Sequence, residues 1–173
     1  MTTNPNKNVK ATPSPEDLSS YRAMIDERVA KHGFAIQGVF AVKDDSPSFA
    51  YTYGLSKAAV PGVELICVCK INVNAISNIV FEVTNELMKT PNHDIAVLES
   101  NKPCIGYLAN GEELRYNIVE LTDEDHEHCC RLNTGTIQKV YQIFIGDAKN
   151  LLPGEEGYDA SLLQCTDYLK DKE

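Results

Sequence analysis

Polar side chains in separate segments of the chain have the types that bind or transform small polar molecules. The set is Tyr51, Thr52, Gly54, Glu64, Gln142, Asp147, Tyr158 and Asp159. Tyrosine rings stack on planar ligands, and carboxylates and amides form hydrogen bonds with polar groups. Glu64 and Asp147 would also serve as acid and base if burial separated their pKa values. We predict one ligand pocket from these residues, provided that a curled sheet brings the segments together.

The same residues also fit a purely structural role. Residues 49–55 (FAYTYGL) predict a strand, and a half-exposed strand that ends in a turn glycine has this pattern as well. Glu64 and Asp147 would then cap turns. Tyr158 would pack its ring on the sheet while its hydroxyl donates to a backbone carbonyl. The sequence leaves both interpretations open.

A metal site is the obvious alternative around residues 126–130 (HEHCC). On a helix His126 and Cys130 face the same way, and Cys67 and Cys69 or His93 would have to complete the ligand set. No C-x-x-C or H-E-x-x-H spacing supports this, so we predict no metal. The six cysteines are not spaced like a disulfide scaffold, and we predict reduced thiols, most of them buried.

Length and charge limit the class of protein. The chain has 173 residues, which suits one domain, and a formal net charge of −9 with a pI near 4.9. This balance argues against binding to a nucleic-acid polymer or an anionic membrane, because both need clustered Lys and Arg. No run of about 20 apolar residues and no secretory signal is visible, so we expect a cytoplasmic protein. The expected partner is a small polar molecule, with a protein partner or a second copy left open.

The order of predicted elements gives the fold class. The helices are predicted at 15–33, from 72 or 74 to 90, and at 122–135, and the strands at 34–42, 49–55, 64–70, 95–98, 103–108, 114–121 and 140–145. The order α-βββ-α-βββ-α-β predicts an α+β fold, with a mostly antiparallel curled sheet or small barrel of six to seven strands and three helices. The predicted domain spans 14–166, after a disordered lead (1–13) and before a charged tail (167–173).

Three groups of motifs occur in a fixed order. The first is His32-Gly33-Phe34, and the second combines residues 51–55 (YTYGL) with residues 64–66 (ELI). The third combines Gln142 and Asp147 with residues 153–159 (PGEEGYD). Together they resemble a family of bacterial and phage domains of unknown function, family number 4262, over about residues 33–159. The departures are Gly62-Val63 for the family's His-Pro, and Ile145 and Gly154 for two of its tryptophans.

The resemblance implies a fold but no settled activity. The family's order of elements is similar to that of split-barrel flavin proteins, yet this chain lacks a Lys/Arg-Ser/Thr cluster for a flavin phosphate, so we predict no cofactor. Three functions stay open. The first is a binding module for a nucleotide-like ligand, with a role in phage–host conflict. The second is a hydrolase or transferase that uses Glu64 and Asp147, and the third is an acidic protein-interaction module.

Overall fold

The chain folds around one six-stranded sheet with helices packed on both faces. A computed structural model describes residues 15–41, 43, 45–100, 103–121 and 139–164. Its helices are α1 (Pro15–His32), α2 (Leu55–Ala58), α3 (Val73–Lys89) and α4 (Ile95–Ser100), with short 3-10 turns at Pro91–His93 and Ala160–Leu162. Its strands are β1 (Ala35–Val39), β2 (Ser48–Tyr53), β3 (Val63–Cys69), β4 (Cys104–Tyr107), β5 (Glu113–Glu120) and β6 (Lys139–Ile145).

The two long helices follow from local signals. α3 begins where the Asn72 side chain accepts a 2.8 Å bond from the Asn74 N–H, and it ends at Thr90, before Pro91. α1 has acidic residues in its first turn and basic residues in its last, and Gly33 closes it with a φ of 83°. Both helices were predicted from the sequence with nearly these bounds.

The sheet is mixed, and its central pairing is parallel. The strand order is β1-β2-β3-β6-β5-β4. β3 pairs with β6 in parallel, with Ile66 opposite Gln142, whereas the other four pairings are antiparallel. The chain leaves β3 through α3, forms the β4–β5 hairpin at the far edge, and returns with β6 in the middle.

The two faces of the sheet differ in what covers them. The front face carries Leu65, Cys67 and Ile143, which belong to the main core together with the apolar stripe of α3. The back face carries a second cluster formed by Tyr51, Ile66, Val68 and Val140. α1 packs on the β1 end of the back face, where Ile25 contacts Ala35 and Tyr53. The front face is therefore the one covered by α3, and the back face is the opposite one.

The α+β class and a six-stranded sheet are confirmed, and several finer predictions are wrong. The sheet does not close into a barrel. Four of its five pairings are antiparallel, in line with the predicted mostly antiparallel sheet, but the central β3–β6 pair is parallel and was not predicted. The described residues contain four helices, not three, since residues 95–98 form a helix and not a strand. Asp94 caps this helix by accepting a 2.9 Å bond from the Ala96 N–H, and a four-residue apolar run does not distinguish helix from strand.

Two further predictions concern the ends of elements. Leu55 begins α2 and does not extend β2, because Gly54 with a φ of 82° turns the chain. The helix predicted at 122–135, the lead 1–13, the tail 167–173, and the residues His126 and Cys130 lie outside the described residues.

Candidate functional site

The buried carboxylate of Glu64 is held by hydroxyl groups from two neighbouring elements. Glu64 is 1% exposed, and its Oε2 accepts a 2.5 Å bond from Thr52 Oγ1. Its Oε1 accepts a 2.6 Å bond from Ser56 Oγ and a 3.1 Å bond from the Ser56 N–H. A buried carboxyl group requires hydrogen-bond partners, because losing water without compensation is costly. This arrangement fixes the turn between β2 and β3.

Thr52 also replaces a bond of the sheet ladder. The paired register of β2 and β3 ends at Tyr51 and Ile66. Beyond that point the Leu65 N–H donates to Thr52 Oγ1 at 2.8 Å, in place of a backbone carbonyl. Gly54 lies in the same turn. The position requires glycine, because a Cβ there would lie 2.6 Å from Val29 Cγ1 of α1. The Thr52–Glu64 pair is therefore a structural latch with its hydrogen bonds made internally.

A row of side chains crosses the back face from β2 to β5. Tyr51 is opposite Ile66, Ile66 is opposite Gln142, and Gln142 is opposite Val119. Residues that are directly opposite on neighbouring strands share a face. Phe49 lies next to Tyr51 on β2, and the two rings are stacked with centroids 6.3 Å apart. The row thus has an aromatic end at β2 and a polar centre at Gln142.

Gln142 is a buried polar side chain whose hydrogen bonding is incomplete among the described residues. It is 1% exposed, and its Nε2 has no partner in the part of the chain that the structure describes. Asn117 lies on the same face, diagonal to Gln142 across the β5–β6 pair, and its buried Oδ1 likewise has no partner among the described residues. A buried amide without a partner costs about 1–3 kcal/mol. One unsatisfied donor and one unsatisfied acceptor thus occupy neighbouring positions.

The three predicted residues after β6 organise their own loop. Asp147 Oδ1 accepts from the N–H groups of Lys149 (2.8 Å) and Leu151 (3.0 Å), and its Oδ2 accepts from the Asp159 N–H (3.0 Å). These bonds, that of Leu151 foremost, hold the pKa of Asp147 below its ordinary value. Asp159 in turn accepts a 3.0 Å bond from the Ser161 N–H, and the Ser161 hydroxyl foremost, together with this N–H, lowers the pKa of Asp159. Both carboxylates act here as turn caps.

Tyr158 belongs to the same loop and is held by a residue that the sequence analysis missed. Its hydroxyl accepts a 2.7 Å bond from Gln164 Nε2, and burial raises its pKa. The amide of Gln164 also accepts from the Ile145 N–H at 2.7 Å and donates to the Ile145 carbonyl at 2.8 Å. The side chain of Gln164 therefore pairs with the end of β6 like a short strand. Nothing in its local sequence signals this role.

Arg115 and Glu155 form a second missed contact that fixes the loop. Two nitrogens of the Arg115 guanidinium donate to the two Glu155 oxygens at 2.6 and 2.7 Å. The guanidinium lowers the pKa of Glu155, and it also donates to the Asn150 carbonyl at 2.9 Å. Arg115 is 40 residues before Glu155 in the chain, so only the fold brings them together. The Pro-Gly-Glu-Glu-Gly-Tyr-Asp motif is thus explained in part by this ion pair.

The predicted site residues fall into three groups, of which the first two adjoin each other on β2 and β3. Thr52, Gly54 and Glu64 form the latch, Tyr51 and Gln142 lie on the back face, and the last three form the loop. Glu64 is opposite Val140 at the start of β6, while the ladder to β5 continues to Gly146, whose N–H donates to the Arg115 carbonyl. At about 3.3 Å per residue, roughly 20 Å of extended strand separates Glu64 from the start of the Asp147 loop. This placement does not support a shared acid–base centre.

The cysteines that the sequence offered as extra metal ligands belong to the core. Cys67 and Cys69 are fully buried on the front face, where burial raises the pKa of Cys67 well above its ordinary value and that of Cys69 to about 12. Metal ligands are thiolates, which this environment disfavours. Within the described ranges no group of three or more His, Cys, Asp or Glu side chains is placed to hold a metal ion.

Comparisons with known proteins place the chain in no family. No protein-family model, no curated protein and no solved structure matches it significantly. Among the helices that the structure describes, none has the length and apolar character needed to cross a bilayer.

Proposed function

We propose that the chain is a binding module for a small, planar, polar molecule, held against the back face at Gln142. The observation that supports this most directly is the Gln142 amide donor, which is buried and has no partner in the described structure. Most buried polar groups in folded proteins are hydrogen-bonded, so each exception calls for an explanation. A ligand carbonyl that accepts from Gln142 Nε2 provides one.

Asn117 adds the complementary group. Its unsatisfied Oδ1 lies diagonally across the β5–β6 pair, within the 7–8 Å that typically separates diagonal neighbours. A ligand edge with a carbonyl beside an N–H, as in a carboxamide or a nucleobase, would satisfy both residues at once. The stacked rings of Phe49 and Tyr51 lie on the same face, two strands from Gln142, at roughly 10 Å. A planar heterocycle would fit between these features.

Local charges favour an uncharged ligand over a phosphate. Arg115 is engaged by Glu155, and Lys139 donates to Glu120 at 2.7 Å, so these two cations near the β5–β6 pair are already neutralised. The chain as a whole carries a charge of −9. We therefore propose that the ligand is a nucleobase or an amide, and that binding does not require a phosphate group on it. The family that the sequence resembles occurs in bacteria and phages. We therefore propose that the chain sequesters such a molecule during phage–host conflict.

A thermal-shift screen tests this proposal. The probes are free nucleobases, nicotinamide and the corresponding nucleoside monophosphates. A ligand at 100 times its Kd stabilises the folded chain by about 2.7 kcal/mol, which is easily measured. We expect stabilisation by at least one base or amide, and no response in Gln142→Met.

A second amide in the same row gives a matched control. Gln37 is opposite Tyr51, but its Oε1 already accepts from the Tyr21 hydroxyl. Gln37→Met should destabilise the chain and still respond to the ligand. Equal responses of the Gln37 and Gln142 variants would contradict a site at Gln142.

A further inference from the structure

Among the described residues the sheet ends at β4, and backbone groups on the outer side of this edge strand have no partner there. In the described residues β4 pairs with β5 alone. The Leu108 N–H donates to the Glu112 carbonyl at 2.9 Å, and antiparallel bonds alternate along a strand. Gly106 and Cys104 therefore bond to β5, whereas Ile105 and Tyr107 direct their N–H and C=O groups away from it.

The side chains at these two positions are apolar and exposed. Ile105 is 57% and Tyr107 63% exposed, and both point to the back face. Val119 of β5 lies on the same face and is 42% exposed. Natural proteins usually protect an edge strand with charge, proline or a covering element. Here two consecutive outward-bonding positions instead carry large apolar side chains.

The charges around this edge are acidic. Glu113 is directly opposite Tyr107, and Glu112 is the next residue before it in the hairpin; both are exposed. Arg115, opposite Ile105, is engaged in its ion pair with Glu155. A second copy of a chain with charge −9 would be repelled at such an edge, whereas a basic segment would be attracted.

We propose that the β4 edge binds an extended, basic segment of a partner protein, which adds to the sheet as a seventh strand. Its backbone pairs with Ile105 and Tyr107, and its apolar side chains cover those two residues on the back face. Its Lys or Arg side chains alternate with the apolar ones, and the acidic end of the hairpin at Glu112 and Glu113 attracts the segment as a whole. This is strand addition, in which the backbone supplies affinity and alternate side chains supply specificity. It is independent of the ligand proposed for Gln142.

Two short capped peptides test the proposal, one of alternating Lys and Val and one of alternating Glu and Val. We expect the Lys peptide to bind, to slow hydrogen exchange of the Ile105 and Tyr107 amides in NMR spectra, and to bind more weakly at high salt. Tyr107→Lys should weaken its binding at least about tenfold. Phe40→Lys makes the same charge change at an exposed position just after β1, at the other edge of the sheet, and should leave binding unchanged.

Four results would overturn this inference. The first is slow exchange of the Ile105 and Tyr107 amides in the chain alone, which means that the edge is already paired. The second is dimerisation through this edge in sedimentation experiments. The third is equal binding of the two peptides, and the fourth is equal loss of binding in the Tyr107 and Phe40 variants.

Discussion

Thr52 Oγ1 lies 2.5 Å from Glu64 Oε2, and both side chains are buried. The same hydroxyl accepts the Leu65 N–H, so one oxygen serves the carboxylate and the backbone of β3 together. Ser56 donates to the other carboxylate oxygen. The consequence is a buried, hydrogen-bonded carboxyl group that locks the β2–β3 turn.

The latch predicts a clear difference between two substitutions of Thr52. Thr52→Val keeps the shape but removes the hydroxyl, so the Leu65 N–H loses its acceptor and Glu64 loses a donor. We expect the free energy of unfolding in urea to fall by about 1–3 kcal/mol. Thr52→Ser keeps the hydroxyl and should cost only about 1 kcal/mol for the lost methyl. A valine variant as stable as the serine variant would show that the bond is unimportant.

Gly54 predicts a second difference, measured against another glycine. Gly54 and Gly111 have nearly the same φ, 82° and 84°, but a Cβ at Gly54 meets Val29 whereas a Cβ at Gly111 meets nothing within 4 Å. Gly111→Ala should cost about 1–2 kcal/mol from backbone strain alone. Gly54→Ala should cost about 1–3 kcal/mol more, from overpacking against α1.

A double variant separates the two contributions at Gly54. Val29→Ala removes the two γ-carbons that lie closest to the new Cβ, so adding it to Gly54→Ala should cost less than the sum of the single changes. Urea unfolding of the four chains measures this coupling. Simple additivity would mean that the loss at Gly54 is backbone strain and not overpacking.

The loop after β6 should loosen in acid. The pKa of Asp147 is lowered in the folded chain from its ordinary 3.8, so its contribution is fully present above that pH and is lost as the pH falls through the lower, folded value. We expect hydrogen-exchange protection of the Leu151 and Asp159 amides to decline over this range. Asp147→Asn should reduce the protection already at neutral pH. Glu156→Gln, the same charge change at an exposed position of the loop, is the control.

Local features of the fold could be predicted from the sequence, because neighbouring residues determine them. The Asn72 cap, the end of α3 before Pro91 and the turn at Gly54 each depend on a few adjacent residues. The turn-capping role suggested for Asp147 also depends on nearby residues, the N–H groups of Lys149 and Leu151. α4 was mistaken for a strand because four apolar residues carry no period.

Long-range pairing accounts for what the sequence could not show. The parallel β3–β6 pair joins residues about 75 positions apart, and it decides that Gln142 lies beside Ile66. Gln164 pairs with Ile145, and Arg115 with Glu155, through contacts that no motif or spacing records. The prediction of one pocket relied on a sheet that brings all the segments together, whereas the strands form an open sheet and Glu64 and the Asp147 loop lie at opposite ends of β6.

Gln142→Met gives a prediction about stability that is unusual for a polar-to-apolar change on a strand. It removes a buried donor without a partner in the described structure and replaces it with an unbranched side chain of similar length. We expect the free energy of unfolding without ligand to stay the same or to rise by up to about 2 kcal/mol. Gln37→Met removes a bonded amide and should lower it. A loss of stability in both variants would mean that Gln142 already has a hydrogen-bond partner.

The most direct measurement follows the side-chain NH2 signal of Gln142 in ¹H–¹⁵N spectra during titration with the ligand that gives the largest thermal shift. We predict that this signal moves and that its exchange with water slows, because a ligand carbonyl accepts the hydrogen bond. The backbone amides of the Asp147 loop should stay in place. Saturation of binding with the Gln142 signal unchanged, or with shifts confined to that loop, would contradict a ligand site on the back face.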